Sequence, residues 1–296
     1  MNRPSVSIII PSADGRRGGN LDLLRREFET QTLLPKEVHV IRGVSPSGLA
    51  RNTGARKASG DVLIFLDDDV RLGHERVLEG MVALLEDPRV GMVGAAQLLP
   101  PGSSVFQRVA AGQIPRSSSA VVSVVTDSDM VTTACCAMRR SLFWGMGGFN
   151  ERIPRGVDPE MRHRVRSRGL RIVVAPNTWF YHPMPASLRA LCKMSFRNGQ
   201  QSAGAHWRMP GAALENPDGH VTGFVTRRSR LYRAGRHAGR FALRIVTMQW
   251  IGVAAQVSYL AGYLSGGAQD HQVGVPALDP QKEIGQMERP VREESR

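Results

Sequence analysis

Asp67, Asp68 and Asp69 stand in a row directly after an apolar, β-prone run, Val62–Leu66. Buried strands of open α/β sheets read as continuous apolar stretches, and such sheets place ligands beyond their strand ends. Carboxylates packed this closely repel one another unless a cation sits between them. Hard divalent cations such as Mg²⁺ or Mn²⁺ take oxygen ligands and share them with substrate phosphates. The same row also suits an ordinary acidic loop or a helix start, where the helix dipole favours negative charge. The surrounding chain decides between these readings.

Strands and helices must alternate for such a cluster to sit at a sheet edge, and the chain supplies that alternation. Residues 6–10, closed by Pro11, read as a first strand, 37–41 as a second, 62–66 as a third and 90–96 as a further one. Apolar runs recur at 131–138 and 171–175. Helical spacing falls between them at 21–30 with Asn20 as cap, at 49–59 with Gly60 as stop, and at 75–86 before Pro88. Further helices are expected at 141–144, 158–168 and 186–201, whereas 100–130 reads as an irregular loop rich in Ser, Pro and Gly. This order predicts an α/β fold with a mainly parallel mixed sheet flanked by helices.

The chain has 296 residues and a formal net charge of +13. That length allows one large domain and an appendage. The charge points to a negatively charged partner: nucleotide phosphates, anionic lipid headgroups or nucleic acid. Three cysteines, two of them the adjacent Cys135 and Cys136, offer neither a disulfide framework nor zinc spacing, which suits a reducing compartment. The N-terminus runs into Ser5-Val6-Ser7-Ile8 rather than a secretion signal, so the expected place of the catalytic part is the cytoplasm.

The C-terminal third changes character. A polar loop is expected at 211–223. Arg227, Arg228, Arg230, Arg233, Arg236, Arg240 and Arg244 follow with no acid among them, and residues 245–264 then carry no charge. Three readings fit that last stretch: an interfacial helix with Trp250, Tyr259 and Tyr263 near lipid headgroups, a helix packed on the main domain, or a membrane span. The chain divides at sequence level into 1–205, 206–270 as a basic and apolar helical region, and 271–296 as a polar tail expected to be disordered.

Several short motifs occur in a fixed order: Ile8-Ile9-Ile10-Pro11, Gly48-Leu49-Ala50-Arg51-Asn52-Thr53-Gly54, Phe65-Leu66-Asp67-Asp68-Asp69, Gly147-Gly148-Phe149-Asn150-Glu151, Asp158-Pro159-Glu160 with Arg164 and Gly169, and Tyr181-His182-Pro183. Over roughly residues 4–200 the series resembles the family 2 glycosyltransferases, inverting enzymes of the GT-A fold. The resemblance implies a Rossmann-like nucleotide-diphospho-sugar transferase with a helical C-terminal appendage. It implies that Pro11, Arg51, Asn52, Asp67 and Asp68 meet the donor nucleotide. Asp67 and Asp69, as the outer acids of a DxD motif, would hold Mg²⁺ or Mn²⁺, with His182 as a further ligand. Gly148, Phe149, Glu151, Glu160 and Arg164 would lie near the acceptor, and Asp158 would take the proton from the attacking hydroxyl.

Some of these residues carry a second reading. Asp158 before Pro159 is also the pattern of a helix N-cap, and His182 suits an ordinary structural histidine. Arg16, Arg17 and Arg164 are further candidates to touch phosphates, although basic residues are abundant throughout the chain. Val157 occupies the usual place of an acid, and the second strand runs into Arg42-Gly43 where the family usually has the Asp that reads the base. The implied partners are a nucleotide-sugar donor, a glycan or lipid-linked acceptor of the cell envelope, and an anionic inner membrane face to which the protein binds peripherally. Two other functions share parts of this pattern. A sugar-phosphate nucleotidyltransferase would use Asp14-Gly15-Arg16-Arg17-Gly18-Gly19 as its phosphate loop, and a basic nucleic-acid-binding protein would rest on charge alone. Few aromatics and no zinc-finger spacing argue against nucleic acid.

Overall fold

The computed structural model describes residues 3–208 and 230–273. Its strands are Val6–Ser12 (β1), Glu37–Arg42 (β2), Val62–Leu66 (β3), Arg71–Leu72 (β4), Val90–Leu98 (β5), Thr126–Asp127 (β6), Cys135–Arg139 (β7) and Arg171–Tyr181 (β8). Its helices are Asn20–Glu29 (α1), Ser47–Lys57 (α2), Val77–Ala83 (α3), Val105–Gln113 (α4), Arg140–Gly145 (α5), Val157–Ser167 (α6), Leu188–Arg208 (α7), Arg230–Val246 (α8) and Trp250–Val273 (α9). The strands form one sheet in the order β2-β1-β3-β7-β5-β8-β4, with β6 on β8. β1, β2, β3, β5 and β8 point the same way, and β7 is wedged antiparallel between β3 and β5.

Alternation within β1 and β3 explains why their sequences are apolar along almost their whole length. Ile8, Ile10, Ile64 and Leu66 pack on one face with Leu21, Leu24 and Phe28 of α1 and Leu78 and Met81 of α3. Ile9, Leu63 and Phe65 pack on the other with Phe143, Phe149, Val157, Met161 and Val165. β1 and β3 are covered on both sides, so nearly all of their side chains are apolar. Burying one such side chain contributes about 1.5–3 kcal/mol relative to leaving it in water.

Several sequence expectations need correction. Asn20 lies inside α1, and the cap position belongs to Gly19, whose left-handed backbone (φ 92°) turns the chain into the helix. The Asn20 amide instead donates to the carbonyls of Asp68 and Val70, tying α1 to the acidic segment. β1 continues past Pro11 to Ser12. α2 ends at Lys57, before Gly60, and Gly60 serves a close crossing: a Cβ there would fall 2.6 Å from Ser7 Oγ. α3 is shorter than expected and finishes as a 3₁₀ turn at Leu84–Glu86. Within 100–130 the chain forms α4, started by a reciprocal capping box between Ser104 and Gln107. β8 runs on to Tyr181, well past Ala175.

The uncharged stretch 245–264 is broken: α8 stops at Val246, Met248 turns with a positive φ of 54°, and α9 starts at Trp250. No described helix is long and apolar enough to cross a membrane, which removes the spanning reading for those residues. α7 runs through residue 205 and lies along α9. A Cβ at Gly199 would sit 2.0 Å from Tyr259 O, and one at Gly262 2.0 Å from Phe196 O, so these two backbones touch. Tyr259 and Tyr263 stack on each other, and Tyr263 Oη meets His206 Nδ1 at 3.1 Å, so these rings are partly covered by the helix pair. The expected polar loop at 211–223, Arg227, Arg228 and the tail from 274 lie outside the described residues.

Glu37 shows how one side chain fastens three segments. Its Oε1 accepts from Ser7 Oγ, Ser59 N and Ser59 Oγ at 2.5–2.9 Å, and these bonds hold its pKa at about 2, down from 4.5. The stabilisation is therefore complete above pH 4.5 and lost as pH falls through about 2. Glu37→Gln should be less stable than wild type at pH 6, and the two unfolding midpoints should converge towards pH 2; urea melts across that range measure it.

Candidate active site

Parallel strands bring distant residues to one edge. Ser12 ends β1, Asp67 follows β3 and His182 follows β8, all at the carboxyl side of the sheet. β7 starts at that same edge because Cys135 pairs with Leu66, which puts Thr133 beside the acids. The backbone of Asp67 donates to Ala134 O at 3.1 Å. The short strand β4 completes the arrangement: Arg71 pairs with Tyr181 and Leu72 with Phe180. That pairing folds the segment after the acids back onto the end of β8, and His182 Nε2 meets Asp69 Oδ1 at 3.2 Å.

Asp67, Asp69 and His182 each offer a ligand atom within 4.8 Å of the other two. Two carboxylate oxygens and an imidazole nitrogen make a donor set that suits a divalent cation. Asp68 turns away from this group and accepts from Ser12 Oγ at 2.6 Å. Asp67 accepts from Arg51 Nη2, and Asp69 from Arg17 Nη2, both at 2.6 Å. Burial raises the pKa of Asp68 against the pull of Ser12 and Arg17. At Asp69 burial acts the same way, but the His182 contact and Arg17 outweigh it and lower the pKa. Burial likewise disfavours the charged His182, yet Asp69 prevails and raises its pKa.

Asp158 is the second residue of α6, whose cap position is taken by Gly156 in left-handed backbone (φ 94°), so the N-cap reading of this aspartate does not hold. Its Oδ1 accepts from both the backbone N and the Oγ1 of Thr133, at 3.1 and 2.6 Å. Arg162, one turn further along α6 and fully buried, donates to Val131 O. Burial opposes ionisation of Asp158, but Arg51, Arg162 and the Thr133 bonds together bring its pKa below the ordinary carboxylate value. Arg51 thus bonds Asp67 and also favours the ionised form of Asp158, which links the acidic cluster to α6.

The remaining sequence-derived positions form the frame around these groups. Asn52 is buried; its amide donates to Phe149 O and Glu151 Oε1 and accepts from Phe149 N, all at 2.8–2.9 Å. Arg56 adds a bond to Glu151 at 2.7 Å. Phe149 packs among Phe65 and Phe143 in the core. Gly148, in left-handed backbone (φ 72°), lets that segment pass Asn52, whose Oδ1 a Cβ would approach to 2.9 Å. Glu160 pairs with Arg164 at 2.6 Å, and Arg164 also donates to Met146 O. Pro11 is a partly buried member of β1 opposite Ile41. A separate cavity of about 650 Å³, lined by Pro4, Asp61, Val62, Arg139 and Arg140 among others, lies at the opposite end of β3 and holds none of the acidic triplet. Ser12 and Thr133 escaped sequence reasoning, since lone hydroxyl residues in apolar or loop surroundings give no signal.

Comparison with known proteins follows from this geometry. The family described as Glycosyl transferase family 2 matches residues 9–147. An O-antigen biosynthesis protein, RfbC, from Myxococcus xanthus is 32% identical over 154 residues, which cover 47% of this chain and 12% of that protein. An uncharacterised protein, y4gI, from Sinorhizobium fredii is 27% identical over 226 residues, covering 62% of this chain and 25% of the relative. The chain therefore spans only a small part of these curated relatives. A mannosyltransferase from Pyrobaculum calidifontis, solved with GDP-Man and Mn²⁺, superposes with a TM-score of 0.51 at 15% identity, over 97% of this chain and 85% of the other. That likeness fixes the fold as GT-A.

The frame makes a direct test possible. Asn52→Ala leaves the buried Phe149 N and O without their partner, a loss of about 1–3 kcal/mol. Urea denaturation should show a drop in stability of that size.

Proposed function

We propose, on the premise that this chain belongs to glycosyl transferase family 2 and is a transferase, that it moves a sugar from a nucleoside diphosphate to an acceptor hydroxyl with inversion. The observation that carries this reading is the meeting of Asp67, Asp69 and His182 at the carboxyl edge, with Arg51 bonded to Asp67. Asp67, Asp69 and His182 would hold Mg²⁺ or Mn²⁺, which when bound supplies positive charge opposite the leaving diphosphate. The protein's own part is to hold and orient. Asp68 and Ser12 fix the floor of the donor site through their 2.6 Å bond. Arg51 and Asn52 keep α2 against the acids and against the segment at Phe149, so that donor and acceptor sides stay in register.

Asp158 is the proposed base. Its lowered pKa keeps it ionised at neutral pH, and both Thr133 bonds go to Oδ1, which leaves Oδ2 to receive the hydroxyl proton. Glu151, Glu160 and Arg164 act through position, since each is engaged by a neighbouring segment. Asp158→Asn should lower kcat about 10²–10⁴-fold with donor binding retained. Asp69→Asn should abolish Mn²⁺-dependent nucleoside diphosphate binding, measured calorimetrically over a panel of nucleotides. Undiminished binding in the second variant removes the metal reading.

The acceptor is proposed to be a cell-envelope glycan or lipid-linked intermediate met at an anionic membrane face. Similarity to an O-antigen biosynthesis protein supports the first part, and α8 supports the second. Leu231, Leu243 and Val246 on that helix and Met248 and Trp250 after it are exposed. No acid occurs between Asp218 and Asp270, while arginine recurs throughout α8. An exposed apolar and basic helix binds anionic interfaces through both terms. Arg244, buried against Gly252 O, Gln256 and Gln113 O, fixes the angle between α8 and α9. The protein should co-sediment with phosphatidylglycerol vesicles far more than with phosphatidylcholine vesicles, and Leu243→Glu with Val246→Glu should end that binding; equal sedimentation of the double variant counts against the surface.

A further inference from the structure

Arg17 sits where a cation is wanted. Its Nη2 donates to Asp69 Oδ2 at 2.6 Å, and its Nε lies 3.6 Å from Asp68 Oδ1. Arg51, the other guanidinium in the cluster, is 5% exposed and built into α2, whereas the Arg17 side chain is 53% exposed and rises from a loop. That loop is shaped for a purpose. Arg17 adopts a left-handed backbone (φ 47°) among the left-handed Gly15, Gly18 and Gly19. Such a conformation is costly for a side chain beyond glycine unless surrounding bonds impose it.

Those bonds are present. Asp14 Oδ1 accepts from the backbone N–H of Arg16 and Arg17 at 2.8 and 2.9 Å. Gly15 N donates to Ser12 Oγ, and that hydroxyl donates in turn to Asp68. Gly15 lies against the Arg42 side chain, whose Nε a Cβ would meet. The loop is therefore fastened to the acidic triplet at two points, through Ser12 and through the Arg17 guanidinium. The Ser12 link is buried; the Arg17 link faces solvent and is the one that can open.

We propose that Arg17 is a displaceable counter-ion: it neutralises Asp69 while no metal is present, yields that carboxylate to an entering divalent cation, and then pairs with the donor diphosphate. The inference rests on the reading of Asp67, Asp69 and His182 as a metal site. Its physical basis is that a guanidinium and a divalent cation compete for one carboxylate and repel each other at short range. A diphosphate resolves the competition by giving the guanidinium a new anionic partner in bidentate geometry. Metal and diphosphate consequently bind with positive coupling, and Arg17 carries part of it. This makes Arg17 a positioning residue whose effect on the metal is opposite to its effect on the phosphates.

The test uses the full chain with Mn²⁺ alone as probe, followed by electron paramagnetic resonance. Arg17→Gln should bind Mn²⁺ about tenfold tighter than wild type, while Arg17→Lys, which keeps the charge, should stay near wild type. In saturating Mn²⁺, inorganic pyrophosphate measured by calorimetry should bind Arg17→Gln about tenfold more weakly than wild type. The exposed position of Arg17 leaves the fold intact, and matching thermal melts verify it. Unchanged or weaker Mn²⁺ binding in Arg17→Gln, alongside binding to wild type that Asp69→Asn abolishes, overturns the counter-ion role and leaves the metal reading standing. Mn²⁺ binding to none of the proteins overturns both. Equal pyrophosphate binding, or none to either protein, overturns the transfer to phosphate.

Discussion

Repulsion among the three carboxylates after β3 is the constraint to which the carboxyl edge of this sheet is built. At an effective dielectric of about 20, two like charges at about 4 Å cost about 4 kcal/mol, a large share of the roughly 5–15 kcal/mol by which a domain is stable. The protein separates the three charges and gives each its own main partner, with Arg17 near Asp68 as well as bonded to Asp69. Asp67 goes to a buried guanidinium on α2, Asp68 to a hydroxyl on β1, and Asp69 to His182 and to Arg17. Each partner comes from a different segment, so the same contacts that neutralise the acids also locate β1, α2, the loop before α1 and the end of β8 relative to one another. Ion pairs of this kind add little net stability against well-packed apolar groups. Their value is specificity of arrangement, with stability supplied by the two apolar layers on the sheet.

Much of this was legible from residue order. The alternation of apolar strands and helices gave the α/β class and the position of Asp67 at a strand end. Arg51, Asp69, Asp158 and His182 lie far apart in the chain, yet the order of their motifs was enough to nominate them together. What escaped was the geometry created by pairing. β4 is two residues long and carries no periodic signal, although its contact with Tyr181 is what draws Asp69 to His182. β7 reads as one more apolar run, and nothing in its composition announces that it is inverted. Its inversion is nonetheless what delivers Thr133 to Asp158.

Local chemistry also misled where tertiary packing overrode it. Asn20 and Asp158 are both good N-cap residues by type, but a left-handed glycine precedes each helix and takes the cap position. That substitution frees both side chains for longer-range bonds, the first to the carbonyls of Asp68 and Val70 and the second to Thr133. Gly60 looks like a helix stop for a similar reason, and its actual role is to let the chain cross Ser7. In each case the residue type was compatible with the local rule, and a contact more than twenty residues away decided its use.

The same reasoning bears on how the site divides between fixed and movable parts. Asn52, Phe149, Glu160 and Arg164 are held by buried or reciprocal bonds, so the α2 and α6 sides form a rigid frame. Across from them, the 14–19 loop is held by an Asx-type turn, a buried bond from Gly15 N to Ser12 Oγ and the exposed Arg17 guanidinium on Asp69 and Asp68. The proposed transfer needs the geometry between base and leaving group to be constant, while a donor enters and a nucleoside diphosphate leaves. Rigidity on the α2 and α6 sides and a releasable bond on the donor side meet those opposed demands without requiring the sheet to move. The antiparallel β7 contributes to both, since it is hydrogen-bonded along β3 beneath the acids while its preceding residues hold Asp158. Displacement of the loop can therefore leave the proposed base where it is, which is the separation that turnover on a single rigid scaffold calls for.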